Sequence, residues 1–143
     1  MSDDRPMPPH RVPDGVDDLT VEAVGLVTEA LEATERARGH LYSFHQLTGS
    51  ADLRLGKAVE KLRQAGHDAV ADELEREIVG RNVLDGRWTF QVVEEYDDTY
   101  YLPFREAERS VRDQLVQGRR HLFEARMKEG RRTHGHPDHT AHP

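Results

Sequence analysis

Glu35 and His45 lie in one helical stretch and Glu94 and Asp97 in another, and these are the side chains whose types suit metal or proton chemistry best. Imidazole and carboxylate together suit iron, manganese or zinc. The four residues therefore make a candidate metal site, and with it an alternative reading of the chain as a metal-binding or oxidoreductase helical bundle. Spacing speaks against the di-iron version. Such bundles aim two ligands inward from one helix through Glu-x-x-His, and no glutamate here has a histidine three residues on. The reversed pair His121 and Glu124 stands alone. The expected cofactor complement is none, with iron, manganese or zinc as the alternative.

A second polar set lies within an apolar helix face. Thr34, Arg38 and His45 run nearly in line, with Glu35 and Tyr42 along the edge. A buried guanidinium needs a carboxylate. Glu108, which interrupts an apolar seam between Phe104 and Val111, is the expected partner of Arg38, with Glu94 as the other choice. A register-setting buried pair accounts for Arg38 and Glu108 without any functional pocket.

Trp88, Glu94, Tyr96, Asp98, Tyr100 and Tyr101 form the most interface-like group, because aromatic rings with polar tips suit binding surfaces. On a helix Glu94 and Asp98 share a face. The order of acids is not that of an EF-hand loop. From Arg119 to Arg132 the chain is strongly basic, which complements a helix C-terminus and is also the one stretch suited to nucleic acid. The net charge of −7 disfavours that partner.

These residues must be positioned by helices. Aliphatic and aromatic residues make up 36% of the chain and charged residues 33%, a globular balance with a modest core. The length of 143 residues suits one domain. Prolines 6, 8, 9 and 13 mark residues 1–17 as a disordered lead, residues 18–130 carry the helical domain, and 131–143 form a disordered His-rich tail. Within the domain a first helix starts at Asp18 or Thr20 and stops near Leu47, before Thr48-Gly49-Ser50. A second runs from about Ala51 to Ala65 with Gly66 as its stop. A third starts at Asp68 and fails near Gly80. The last keeps three- and four-residue spacing through Phe104, Val111, Leu115, Gly118, Leu122 and Ala125. Between Arg81 and Tyr101 a helix competes with a hairpin turning at Asp85-Gly86, and the helix is preferred because a lone hairpin is marginal in water. The expected fold is all-α, a small antiparallel bundle of three to four main helices with disordered termini.

The run from Leu74 to Asp98, LEREIVGRNVLDGRWTFQVVEEYDD, resembles a family of uncharacterised actinobacterial helical proteins. Arginine supplies all of the 20 basic residues except Lys57, Lys61 and Lys128, which suits the GC-rich coding of that group. The resemblance implies no activity and no catalytic residue.

Several classes of chemistry are excluded. There is no cysteine, so disulfides, thiolate metal sites and cysteine nucleophiles are absent. No phosphate-binding glycine loop, Gly-x-Ser-x-Gly elbow, His-Glu-x-x-His or dinucleotide fingerprint occurs. No basic-then-apolar leader and no span-length apolar run appear, so a cytoplasmic location without membrane contact is expected. The leading expectation is a non-enzymatic interaction protein that meets a protein partner or forms a homo-oligomer. Nucleic-acid binding through the basic last helix is the weaker alternative.

Overall fold

The computed structural model describes residues 3–143, and over these the chain is all-α. Five α-helices follow a single 3-10 turn at Pro8–His10: α1 Asp18–Gln64, α2 Asp68–Glu77, α3 Thr89–Tyr96, α4 Leu102–Val116 and α5 Leu122–Arg131, with a π-helical turn at Asp97–Tyr101 between α3 and α4. No helix of the described residues is long and apolar enough to cross a membrane. The chain divides into two compact units: residues up to 33 with Pro103–Pro143, and Thr34–Leu102.

In the first unit α1 opens at Asp18, and the cap is Asp17 rather than Asp18 or Thr20. Its Oδ1 accepts the Thr20 amide at 2.8 Å, which holds the Asp17 carboxyl below the usual carboxylate range. Val21 and Val24 of α1 pack with Val116 and Leu122, and Val16 and Val111 cover that cluster. Gly25 lets α5 approach: a Cβ there would meet the Phe123 Cβ at 3.2 Å.

The last helix is not continuous, in contrast to the expectation from its seam. It stops at Val116, Gln117 and Gly118 take left-handed backbone angles, and α5 starts afresh at Leu122. Arg112 accounts for the stop. Its backbone carbonyl accepts the Gly118 amide at 2.9 Å, and its guanidinium donates to the Gly118 carbonyl at 3.0 Å. Gly118 therefore ends a helix instead of admitting a neighbouring one, and at φ +72° a Cβ would lie 2.8 Å from Asp113 Oδ1.

The two ends lie outside any α-helix, yet their polar groups find partners. Arg132, whose side chain is almost wholly buried, donates to the Asp4 carboxylate at 3.0 Å, the Asp4 carbonyl at 2.6 Å and Glu129 at 2.7 Å. These contacts hold the Asp4 and Glu129 carboxyls below their ordinary range, first through the Arg132 hydrogen bond and then through charge.

In the second unit α1 runs straight through Thr48-Gly49-Ser50, where a break was expected. Three small residues without proline lower helix propensity by only about 1 kcal/mol for the glycine, too little to offset the packing on either side. Gly49→Ala is accordingly expected to raise stability by about 1 kcal/mol, because a Cβ there meets no atom within 4 Å. A lower urea midpoint for that variant would contradict a continuous helix. The true stop is Gly66, as its type indicates. The His67 amide bonds the Leu62 carbonyl at 2.8 Å and the Gly66 amide bonds Arg63 at 3.0 Å, the paired bonds of a Schellman motif. Arg63 then ties α1 to α2 through Asp72 at 2.6 Å and through Glu75.

Residues 81–101 combine both expected forms. Leu84 and Arg87 make an isolated bridge around the Asp85-Gly86 turn, and α3 begins two residues later, with Gln91 Oε1 accepting the Trp88 amide at 2.8 Å. Pro103 explains the π turn. It has no amide to bond a carbonyl one turn back, and its ring crowds that carbonyl, so the preceding turn widens. The Leu102 amide reaches Asp97, five residues back.

Candidate functional site

Two contacts set the geometry of Thr34–Leu102 at its α3 end. Arg38 holds Asp97 with both arms of its fork, Nε to Oδ1 at 2.6 Å and Nη2 to Oδ2 at 2.9 Å, and its guanidinium carbon lies 5.5 Å from the centre of the Tyr101 ring. The widened turn at Asp97–Tyr101 thus belongs to the Arg38 clamp. The Arg38 hydrogen bond holds the Asp97 carboxyl below the usual carboxylate range, against some desolvation. A lowered carboxylate stabilises the fold above its unfolded value, near pH 4, and loses that contribution as pH falls through the lower folded value. Asp97→Asn is expected to flatten this acid-side loss, read as the difference between variant and parent melting temperatures across pH 2 to 7 at about one-unit intervals. An unchanged difference would remove the clamp from the acid response.

Further along α1, His45 Nδ1 lies 2.7 Å from the buried Thr89 Oγ1, with the Tyr42 ring 5.7 Å away. The expected Arg38–Glu108 pair is replaced by two separate ones. Arg38 takes Asp97, one of the four candidate metal ligands, and Glu108 takes Arg112 and Thr28. Glu94 does not serve Arg38 either. The proposed ligands Glu35, His45, Glu94 and Asp97 do not come together: Asp97 and His45 are engaged as described, and Glu35 and Glu94 are exposed. Among the described residues no three histidine or acidic side chains converge for a metal ion.

The interface group also divides. Tyr100 is exposed and stacks at a tilt on the half-buried Tyr96 at 5.6 Å, and Glu94 and Asp98 are exposed. Tyr101 turns toward Arg38. Trp88 belongs elsewhere, in a groove of about 600 Å³.

That groove forms where α1 is left uncovered. α2 is tied to its far end by Arg63, α3 and the π turn after it to its middle by His45 and Arg38, and between these points lie Thr48, Gly49 and Ala51, which have little bulk to fill the gap. The loop after α2 bridges it with Ile78, Val83 and Trp88, facing Leu53 and Leu55. Gly80 fastens the loop. Its amide donates to Asp52 Oδ1 at 2.9 Å and its carbonyl accepts from Trp88 Nε1 at 3.2 Å, and its φ of +72° is one that glycine adopts without strain. Arg81, Asn82 and Thr89 add polar groups to a mainly apolar lining. A volume in the range of about 300–1,000 Å³ with a few polar groups is the usual form of a small-ligand site.

Sequence reasoning singled out Trp88 but missed Leu53, Ile78, Val83 and Asp52. The signal was the small-residue run itself, which reads as a helix break and turns out to leave the gap.

The chain matches no protein-family model, no curated protein and no solved structure.

Proposed function

We propose that this chain is a non-enzymatic interaction protein and that residues 34–102 associate with a second copy of the chain. One observation carries the reading. Of the large hydrophobic side chains left exposed among the described residues, only Val12, Leu19, Leu26, Leu115 and Met127 lie outside this unit, whose own buried apolar residues are Val59, Ala71 and Val93. Phe44, Leu47, Leu84, Phe90 and Tyr100 are exposed without belonging to the groove. The concentration of exposed apolar side chains in one unit favours association, and most soluble oligomers pair identical chains. The aromatic–acidic group at Tyr96, Asp98 and Tyr100 supplies a polar rim to such a surface.

Part of the basic segment is engaged within the chain, which weighs against nucleic-acid binding: Arg126 pairs with Asp18 at 2.9 Å and Arg132 with Asp4 and Glu129, two of the six cations between Arg119 and Arg132.

A photo-reactive phenylalanine analogue placed at Phe44 or Phe90 tests the proposal. Chain-to-chain adducts are expected from the purified protein in dilute solution. Exclusive intramolecular products would remove it.

A further inference from the structure

We infer that the groove beside Trp88 is a binding site for a small apolar molecule bearing a carboxylate, such as a medium-chain fatty acid, with the chain against Trp88, Leu53 and Ile78 and the carboxylate on Arg81. This goes beyond self-association, which is tested at side chains outside the groove, Phe44, Leu47 and Phe90.

The apolar half of the recognition is prebuilt. The indole is fixed by its hydrogen bond to the Gly80 carbonyl, and the Asp52 carboxylate holds the Gly80 amide, so the wall carrying Ile78, Val83 and Trp88 is pinned to α1 before any ligand arrives. A pocket formed in advance loses little free energy to ordering on binding. Trp88 is 44% and Leu53 72% exposed, so a ligand covering both would remove apolar surface from water at about 25 cal/mol per Å².

The polar half comes from charge. Two charged residues line the groove, Asp52 and Arg81. Asp52 keeps its charge but is fixed in the wall by the Gly80 amide on Oδ1, so the preference between an anionic and a cationic head is decided by whether the head meets Arg81. Arg81 donates a long contact, 3.4 Å, to the Glu77 carbonyl, and among the described residues no carboxylate pairs with it, whereas Arg38, Arg63, Arg76 and Arg87 of the same unit each hold one; Arg36 and Arg54, also without such a pair, do not line the groove. A guanidinium fork open at the edge of an apolar groove fits a carboxylate in two-point fashion, and the Asn82 amide beside it can donate to the same oxygens. A cationic head on the same chain would face Arg81 as a like charge.

Trp88 is the one tryptophan of the sequence, so its emission reports the site directly. The full-length protein is titrated with decanoate and, separately, with decyltrimethylammonium, both kept below micelle formation, while far-UV circular dichroism monitors the fold. Decanoate is expected to give a saturable blue shift and to bind about tenfold more tightly than the cation. Arg81→Gln should reduce that preference to about threefold or less, and Arg81→Lys should retain most of it. Arg81 is exposed, so neither variant threatens folding. Equal binding of both amphiphiles, or a preference unchanged in Arg81→Gln, would overturn the role of Arg81. Emission unmoved by either amphiphile would overturn the site itself and leave the association of Phe44, Leu47 and Phe90 to stand or fall on the cross-linking result.

Discussion

Glu108→Ala is expected to lower stability by about 3–5 kcal/mol, the usual cost of breaking a buried ion pair from one side. Glu108 is 4% exposed. Its Oε1 accepts Arg112 Nε at 2.7 Å and Thr28 Oγ1 at 3.0 Å, and its Oε2 accepts Arg112 Nη2 at 3.2 Å. Removing the carboxylate leaves a mostly buried guanidinium without its anion and the Thr28 hydroxyl with only the Val24 carbonyl, 3.2 Å away. The damage spreads further, because Arg112 also caps α4 through the Gly118 carbonyl. Glu108→Gln keeps an oxygen for Thr28 and should cost less. Replacing Glu108 and Arg112 together by leucine should recover much of the loss, since neither charge is then stranded, except for the cap at Gly118. Urea denaturation of the four proteins measures all of this, and a Glu108→Ala midpoint equal to the parent's would show that the pair contributes nothing.

Leu122→Ala should cost about 2–5 kcal/mol, while Leu115→Ala should stay within about 0.5 kcal/mol. The contrast follows from the interruption between α4 and α5. Leu122 is 5% exposed and packs with Val21, Val24 and Val116, whereas Leu115 is 48% exposed. On one unbroken helix the two would share a seam, and their truncations would cost similar amounts. Comparable losses in the two variants would therefore restore the uninterrupted helix that the spacing alone suggests.

The two leucines show how far the fold was legible. Three- and four-residue spacing identifies helical residues on both sides of Gly118 correctly, because local periodicity depends on which face is apolar. It cannot register a stop imposed by a side chain, and here Arg112 and a left-handed Gln117 make the stop. The opposite error occurs at Thr48-Gly49-Ser50, where the residue types suggest a break that only a proline or a left-handed glycine would have enforced. Gly66, with its positive φ, ends its helix as read, and α2 stops at Glu77, near Gly80. For the site, Arg38 was recognised as needing a carboxylate, and its need is met by Asp97 at the end of α3, where the π turn begins. Such a turn has no periodic signature. The groove was hidden for a related reason: it consists of what α2 and α3 leave uncovered, a property of where helices end and not of any motif.

Sedimentation velocity of the full-length protein across a wide concentration range, beside a Leu47→Glu, Phe90→Glu variant, tests the central claim most directly. Both positions are exposed, so the substitutions leave the fold in place. The expected result is a mass that rises above the 16.4 kDa of one chain as concentration increases and a variant that stays at one chain throughout. A parent protein that sediments as a single 16.4 kDa species at every concentration would contradict self-association through residues 34–102.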